Sequence, residues 1–206
     1  MSDPEPPPVP AAGPPPGISI SREELAALPI RKYEGPIHLI EHDANVAPAC
    51  DALRRETLIG FDIETRPSFS VGESYPPALL QLAGTGAAYV FQLHKISAIS
   101  PLLDLLADPA ITKAGVALAD DLKKLRAVYT FAPAAFTDLG HLARAQNYRQ
   151  TGLRALSGIL LGFRLSKKEQ RSNWAAPRLT RSQITYAATD AWASRELYLL
   201  LASQRA

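Results

Sequence analysis

The chain has 206 residues, with 22 Lys+Arg against 20 Asp+Glu, one Cys and 47% hydrophobic residues. That length supports one domain with a real core, while the ordinary composition excludes wholesale disorder, collagen-like and coiled-coil chains and no apolar run is long enough to cross a bilayer. A single Cys excludes an internal disulfide, and the acidic start Met1-Ser2-Asp3-Pro4-Glu5 has neither the basic nor the apolar region of a secretory leader, so a cytoplasmic location is expected.

Residues 1–17 hold eight of the 18 prolines and almost no large apolar side chain. Such a segment buries too little surface to offset its ordering entropy, so residues 1–20 are expected to be a flexible Pro-rich tail ahead of one domain over 21–206. Ser21-Arg22-Glu23-Glu24 has the capping-box pattern and predicts a short helix before Pro29. Ile37–Ile40 reads as a strand, Val46–Glu56 as an amphipathic helix and Leu58–Glu64 as a second strand. A Pro-, Ser- and Gly-rich loop from Arg66 to Pro77 follows. Ala78–Ala83 and Ala87–Gln92 flank Gly84-Thr85-Gly86 as a hairpin. A helix near Ile99–Leu106, a strand near Ile111–Val116 and a run of helices complete the pattern. Strands with crossing helices followed by helices alone predict an α/β fold with a mixed sheet.

Three places put carboxylates where apolar side chains should be. Strand alternation sets Leu58, Gly60, Asp62 and Glu64 on one face and Ile59, Phe61 and Ile63 on the other. Two neighbouring acids at the end of an apolar strand repel each other and call for a cation, and hard divalent ions prefer carboxylate oxygens. A strand that simply ends at Asp62 with both acids in water is the other reading. Thr180-Arg181-Ser182-Gln183 is a second capping box, predicting a helix that runs past Leu200. Tyr186, Asp190, Ala193, Leu197 and Leu200 lie along one face of it, so Asp190 is expected on an inward stripe, facing a cation or a firm donor. In Leu118–Leu125, helical phase puts Asp121 with Leu118, Leu125 and Val128, whereas Asp120 faces outward near the helix N-terminus.

The net charge of +2 does not announce a nucleic-acid binder, but residues 164–181 carry Arg164, Lys167, Lys168, Arg171, Arg178 and Arg181 against Glu169 alone. A local basic stripe suits phosphate neutralisation, although a solvated face is the commoner meaning of such a run. Cys50 reads as a small core residue. His38, His42, His94 and His141 share no zinc spacing. Asp138 reads as a helix N-cap, and Gly84-Thr85-Gly86 is too short for a phosphate loop.

Taken together, Phe61-Asp62-Ile63-Glu64-Thr65, Lys113-Ala114-Gly115-Val116 through Asp121-Leu122-Lys123-Lys124-Leu125, and Tyr186-Ala187-Ala188-Thr189-Asp190-Ala191 resemble the three motifs of the DEDD-type 3′–5′ exonucleases, in the subgroup with a tyrosine in the third. Gln170-Arg171-Ser172-Asn173-Trp174, then Pro177-Arg178-Leu179, is similar to the Werner-type exonuclease domain and to bacterial ribonuclease-D-like proteins. The resemblance covers about residues 35–203 and implies a ribonuclease-H-like fold, a five-stranded mixed sheet flanked by helices. Thr65-Arg66-Pro67 departs from the aromatic that often follows the Glu in Werner-type members. No segment supplies the helical nucleic-acid-binding domains of full-length ribonuclease D, so this domain itself or a partner is expected to bind substrate.

The resemblance implies hydrolysis of the terminal phosphodiester with two Mg²⁺ or Mn²⁺ ions, releasing nucleoside 5′-monophosphates. It assigns Asp62 to both ions, Glu64 and Asp190 to the first and Asp121 to the second, with Tyr186 orienting the attacking water or accepting its proton. Lys167, Lys168 and Arg171 are candidates for backbone-phosphate contacts, which give salt-dependent binding with little sequence preference. Thr65 and Asn173 are further candidates for substrate contact, and Trp174 is a candidate either for the terminal nucleotide or for the core. The expected partner is a single-stranded 3′ end, with the Asn-Trp and third-motif context weighting DNA slightly over RNA.

Overall fold

A computed structural model of the protein describes residues 17–68 and 72–204. Its organising strand is β2 (Leu58–Thr65), whose strict alternation separates two layers. Ile59, Phe61 and Ile63 enter one core with Val46, Cys50 and Leu53 of α2 (Val46–Leu53), Leu102, Leu105 and Leu106 of α3 (Ser100–Ala107), and Leu118 and Leu125 of α4 (Leu118–Val128). The opposite face of the sheet meets α7 (Arg181–Ser203).

The remaining strands are β1 (Ile37–Ile40), β3 (Pro77–Ala83), β4 (Ala88–Gln92), β5 (Thr112–Gly115) and β6 (Phe136–Asp138). They assemble in the order β1-β4-β3-β2-β5-β6. The β1/β4, β2/β5 and β5/β6 pairs are parallel, and β2/β3 and β3/β4 antiparallel. Every residue of β3 is buried, as befits a strand covered on both faces. The expected mixed sheet is therefore present, but with six strands instead of five. The additional strand, β6, is three residues long, too short for alternation to mark it.

Helix α1 (Arg22–Ala27) and α7 begin at the two capping boxes read from sequence. Gln183 N–H donates to Thr180 Oγ1 at 3.2 Å and Thr180 N–H to Gln183 Oε1 at 2.9 Å. The inward stripe of α7 runs through Asp190, Ser194, Leu197 and Leu201; Leu200 is only half-buried, one residue off the expected face. Val128 is likewise exposed, at the last residue of α4. Asp138 caps α5 (Leu139–Ala145), accepting from Gly140 and His141 N–H at 2.8 and 3.2 Å. Its other oxygen accepts from Leu118 N–H at 2.9 Å, so one carboxylate fixes the start of both α5 and α4.

Of the expected Pro-rich tail, residues 1–16 lie outside the described residues. Ile18 pairs with the chain at Tyr148, and Ile20 N–H donates to Gln150 Oε1 at 2.9 Å, so the attached body starts ahead of the expected boundary at residue 20. Among the described residues, no helix is long and apolar enough to cross a membrane.

Candidate active site

Asp62 and Glu64 leave β2 on the face that meets α7, and Asp190 reaches them from that helix. Carboxylate oxygens of the three lie within 4.8 Å of one another. The two elements come this close because Gly60 has no side chain: a Cβ there would stand 1.8 Å from the Ala191 carbonyl oxygen. Its neighbours in register are Ala83 and Ala114, so the seat of α7 is built from small residues.

The charges are uncomfortable. Burial, then Glu64, Asp190 and Asp121, holds the Asp62 carboxyl well above the usual carboxylate range. Glu64 is pushed up to about 9 by burial and by Asp190 and Asp121. Asp190 is raised to about 7 by burial, opposed by a hydrogen bond from Tyr186 and the charge of Arg154. Asp121 is raised to about 6 by burial, with Lys124 opposing. Among the described residues no Lys or Arg forms an ion pair with any of the four. Three hard oxygen donors converging with no Lys or Arg paired to them are a donor set suited to Mg²⁺ or Mn²⁺. Asp62, Glu64 and Asp190 fit such an ion directly; Asp121 stands outside that trio, near enough for its charge to be felt by Asp62 and Glu64.

A pH dependence follows, with a definite sign. A carboxyl whose folded value exceeds its unfolded value of about 4 stabilises the fold at low pH, and that stabilisation is lost as pH rises through the folded value. The metal-free protein is therefore expected to lose stability from this cluster between about pH 4 and 9. Added Mg²⁺ should raise the melting temperature more at pH 8.5 than at pH 5, by a margin of about 5 °C or more. Thermal denaturation with EDTA or Mg²⁺ at both pH values checks it; equal shifts would break the link between the acids and the metal.

Tyr186 donates its hydroxyl hydrogen to Asp190, and burial raises its hydroxyl far above the ordinary phenol range. It therefore stays protonated at rest, which suits positioning and excludes a resting phenolate. Trp174 is 1% exposed and its ring lies 5.7 Å from that of Tyr186, so it belongs to the core and backs the tyrosine.

A cavity of about 390 Å³ opens beside Tyr186 and Asp190, between α7 and the segments around residues 30–32 and 165–169. Lys168 lines it; Lys167 and Arg171 are exposed but outside it, as are Thr65 at the end of β2 and exposed Asn173. Asn173 acts through its backbone, its carbonyl accepting from Gln183 Nε2 at 3.3 Å. Glu169 accepts from Ser172 Oγ at 2.6 Å and Ser182 Oγ at 2.7 Å, tying the basic segment to the first turn of α7. Arg31, Lys32 and Arg181 add cations to the cavity wall. Sequence reading missed Arg31 and Lys32, which no motif marks, and Arg154, whose signal was a lone cation in the apolar run Leu153–Leu161. It also missed Gln81, which faces Asp62 across the β2/β3 pair, fully buried with neither amide atom hydrogen-bonded. Cys50 is buried away from the site, its thiol pushed up to about 12 by that burial.

The chain was compared with known proteins. A family model described as 3'-5' exonuclease matches residues 37–205. The chain is 37% identical to exonuclease 3'-5' domain-containing protein 2 of Mus musculus over 63% of its own length and 22% of that protein. It is 31% identical to ribonuclease D of Acidiphilium cryptum over 82% of its length and 43% of that enzyme. The chain thus spans less than half of either relative. Among solved structures, RNase D of Escherichia coli, described as an exoribonuclease involved in structured RNA processing, superposes with a TM-score of 0.72 at 28% identity, over 82% of this chain and 46% of that one. The Nibbler EXO domain of Aedes aegypti shares the fold, with a TM-score of 0.75 at 24% identity over 86% and 92% of the two chains. With acids from β2 and α7 gathered on one face of this sheet and a family match over most of its length, the chain belongs to the 3′–5′ exonuclease family.

Proposed function

We propose that the protein is a divalent-metal-dependent 3′–5′ exonuclease that shortens single-stranded nucleic acid from its 3′ end and releases nucleoside 5′-monophosphates. The convergence of Asp62, Glu64 and Asp190 carries this reading. These three, with Asp121, would hold two Mg²⁺ or Mn²⁺ ions. Bound there, the ions would acidify a water and offset charge on the departing oxygen, the usual chemistry of paired metals. In the hydrolysis the water oxygen bonds to phosphorus, the bond from phosphorus to the 3′ oxygen breaks, and that oxygen leaves as a hydroxyl.

The chain's own residues supply position. Tyr186 holds Asp190 by its hydrogen bond and sets its phenol beside the attacking water. Lys168, on the cavity wall, and the exposed Lys167 and Arg171 attract the phosphate backbone. Thr65 and Asn173, outside the cavity, are left as outer contacts.

RNA is the substrate favoured in this reading. The Asn173-Trp174 context favours DNA only where Trp174 is free to meet a nucleotide, and Trp174 is occupied in the core. The relatives named ribonuclease D act, by that name, on RNA. The test uses 5′-labelled single-stranded RNA and DNA of equal sequence with Mg²⁺, Mn²⁺ or EDTA. A metal-dependent ladder is expected, at least about fivefold faster on RNA, the worth of one hydrogen bond to a 2′-hydroxyl. Faster digestion of DNA would overturn the RNA preference, and no digestion of either would overturn the activity.

A further inference from the structure

Among the described residues, Lys113 and Arg195 are cations drawn into the body of the protein and held by polar partners. Lys113, fully buried in β5, donates from Nζ to the Asp108 carbonyl at 2.6 Å and lies 5.2 Å from the centre of the Phe136 ring. Arg195 donates from Nη1 to Glu196 at 3.0 Å and from Nη2 to Thr85 Oγ1 at 2.8 Å, leaving Nε alone without a partner. Such pairing is what a structural buried cation requires.

Arg154 is different. It lies in α6 (Leu153–Leu156), half-buried, with both Nε and Nη1 shielded from solvent and without a hydrogen-bond partner. Among the described residues it forms no ion pair. Its electrostatic neighbours are Tyr186 and Asp190, which line the cavity, and Arg164. Arg164 is already engaged, donating from Nε to the Leu28 carbonyl at 2.9 Å. A guanidinium cannot shed its proton to escape burial, so unmet donors beside an acidic site are a standing cost unless an anion meets them.

Resting on the exonuclease reading, we propose that Arg154 binds the phosphate of the terminal nucleotide, its unpartnered donors receiving a non-bridging oxygen beside Tyr186 and Asp190. The ligand class is a nucleoside 5′-phosphate, as the last unit of a strand or as the released product. Acids that repel an incoming phosphate need such a counterweight, and a planar guanidinium suits phosphate oxygens better than an ammonium does.

The test compares adenosine 5′-monophosphate with adenosine by calorimetry on the full chain, with EDTA and with Mn²⁺, for the wild type, Arg154→Met and Arg154→Lys. Arg154→Met should weaken AMP binding by about tenfold to a hundredfold while adenosine changes by less than about twofold. Arg154→Lys should fall between, because it keeps the charge and loses the planar donors. Equal weakening of both ligands, as a structural role gives, would overturn the proposal. So would unchanged AMP affinity, or a wild type that binds AMP no better than adenosine. Should Arg154→Met not fold, Arg154→Lys decides: a selective loss for AMP supports the proposal and parity with wild type ends it. Digestion of RNA by the wild type is scored alongside. An inert wild type defeats the parent reading, whereas an active one whose Arg154→Met variant keeps its phosphate preference defeats only this one.

Discussion

Asp62→Asn is expected to abolish digestion while leaving the protein folded. Glu64, Asp190 and Asp121 all act on Asp62 electrostatically. An amide keeps its shape but surrenders the anionic oxygens that hold a hard cation. Losing several kcal/mol of transition-state stabilisation lowers kcat by about a thousandfold or more, at about 1.36 kcal/mol per factor of ten. Stability should move the other way. Removing one of four mutually repelling acids leaves the melting temperature in EDTA unchanged or higher. Single-turnover digestion and thermal denaturation on the same preparation check both halves. Near wild-type turnover in Mn²⁺ would end the metal-centred account, and a large fall in melting temperature would recast Asp62 as structural.

Gly60→Ala should be as damaging without touching a charge. The added Cβ would meet the Ala191 carbonyl oxygen at 1.8 Å and the Arg195 backbone nitrogen at 2.8 Å, neither of which is a movable side-chain end. Helix α7 must then lift from β2. The expected cost is about 3 kcal/mol or more, or about 6–12 °C in melting temperature for a domain of this size. Because Asp62 and Asp190 sit two residues and one residue from this contact, activity should drop further, by about a hundredfold for a displacement near 1 Å. Denaturant unfolding and activity at a temperature where the variant stays folded separate the two effects; a variant matching wild type in both would show that α7 is not seated by Gly60.

What the sequence made legible was local. Both capping boxes, the Gly84–Gly86 hairpin and the alternation of β2 depend on residues a few positions apart, and each is present as read. Asp62, Glu64 and Asp190 were legible because acids on otherwise apolar faces are conspicuous. Facts set by distant partners were hidden. Gly60 looked like one small residue in a strand until Ala191, 131 positions later, came to rest on it. Arg154 lies in no motif, and only the fold brings its charge to bear on Tyr186 and Asp190. Trp174 had two readings that composition could not separate, and its place against Tyr186 separated them.

The acids of this pocket come from a strand beginning at Leu58 and a helix beginning at Arg181. A ribosome delivers the chain from its N-terminus, so the first two carboxylates emerge more than a hundred residues before the third. Until Asp190 has cleared the exit tunnel and its helix has settled over Gly60, the nascent polypeptide carries no complete acidic cluster. On the exonuclease reading, the nascent chain is inert until the stretch through Asp190 has emerged and folded.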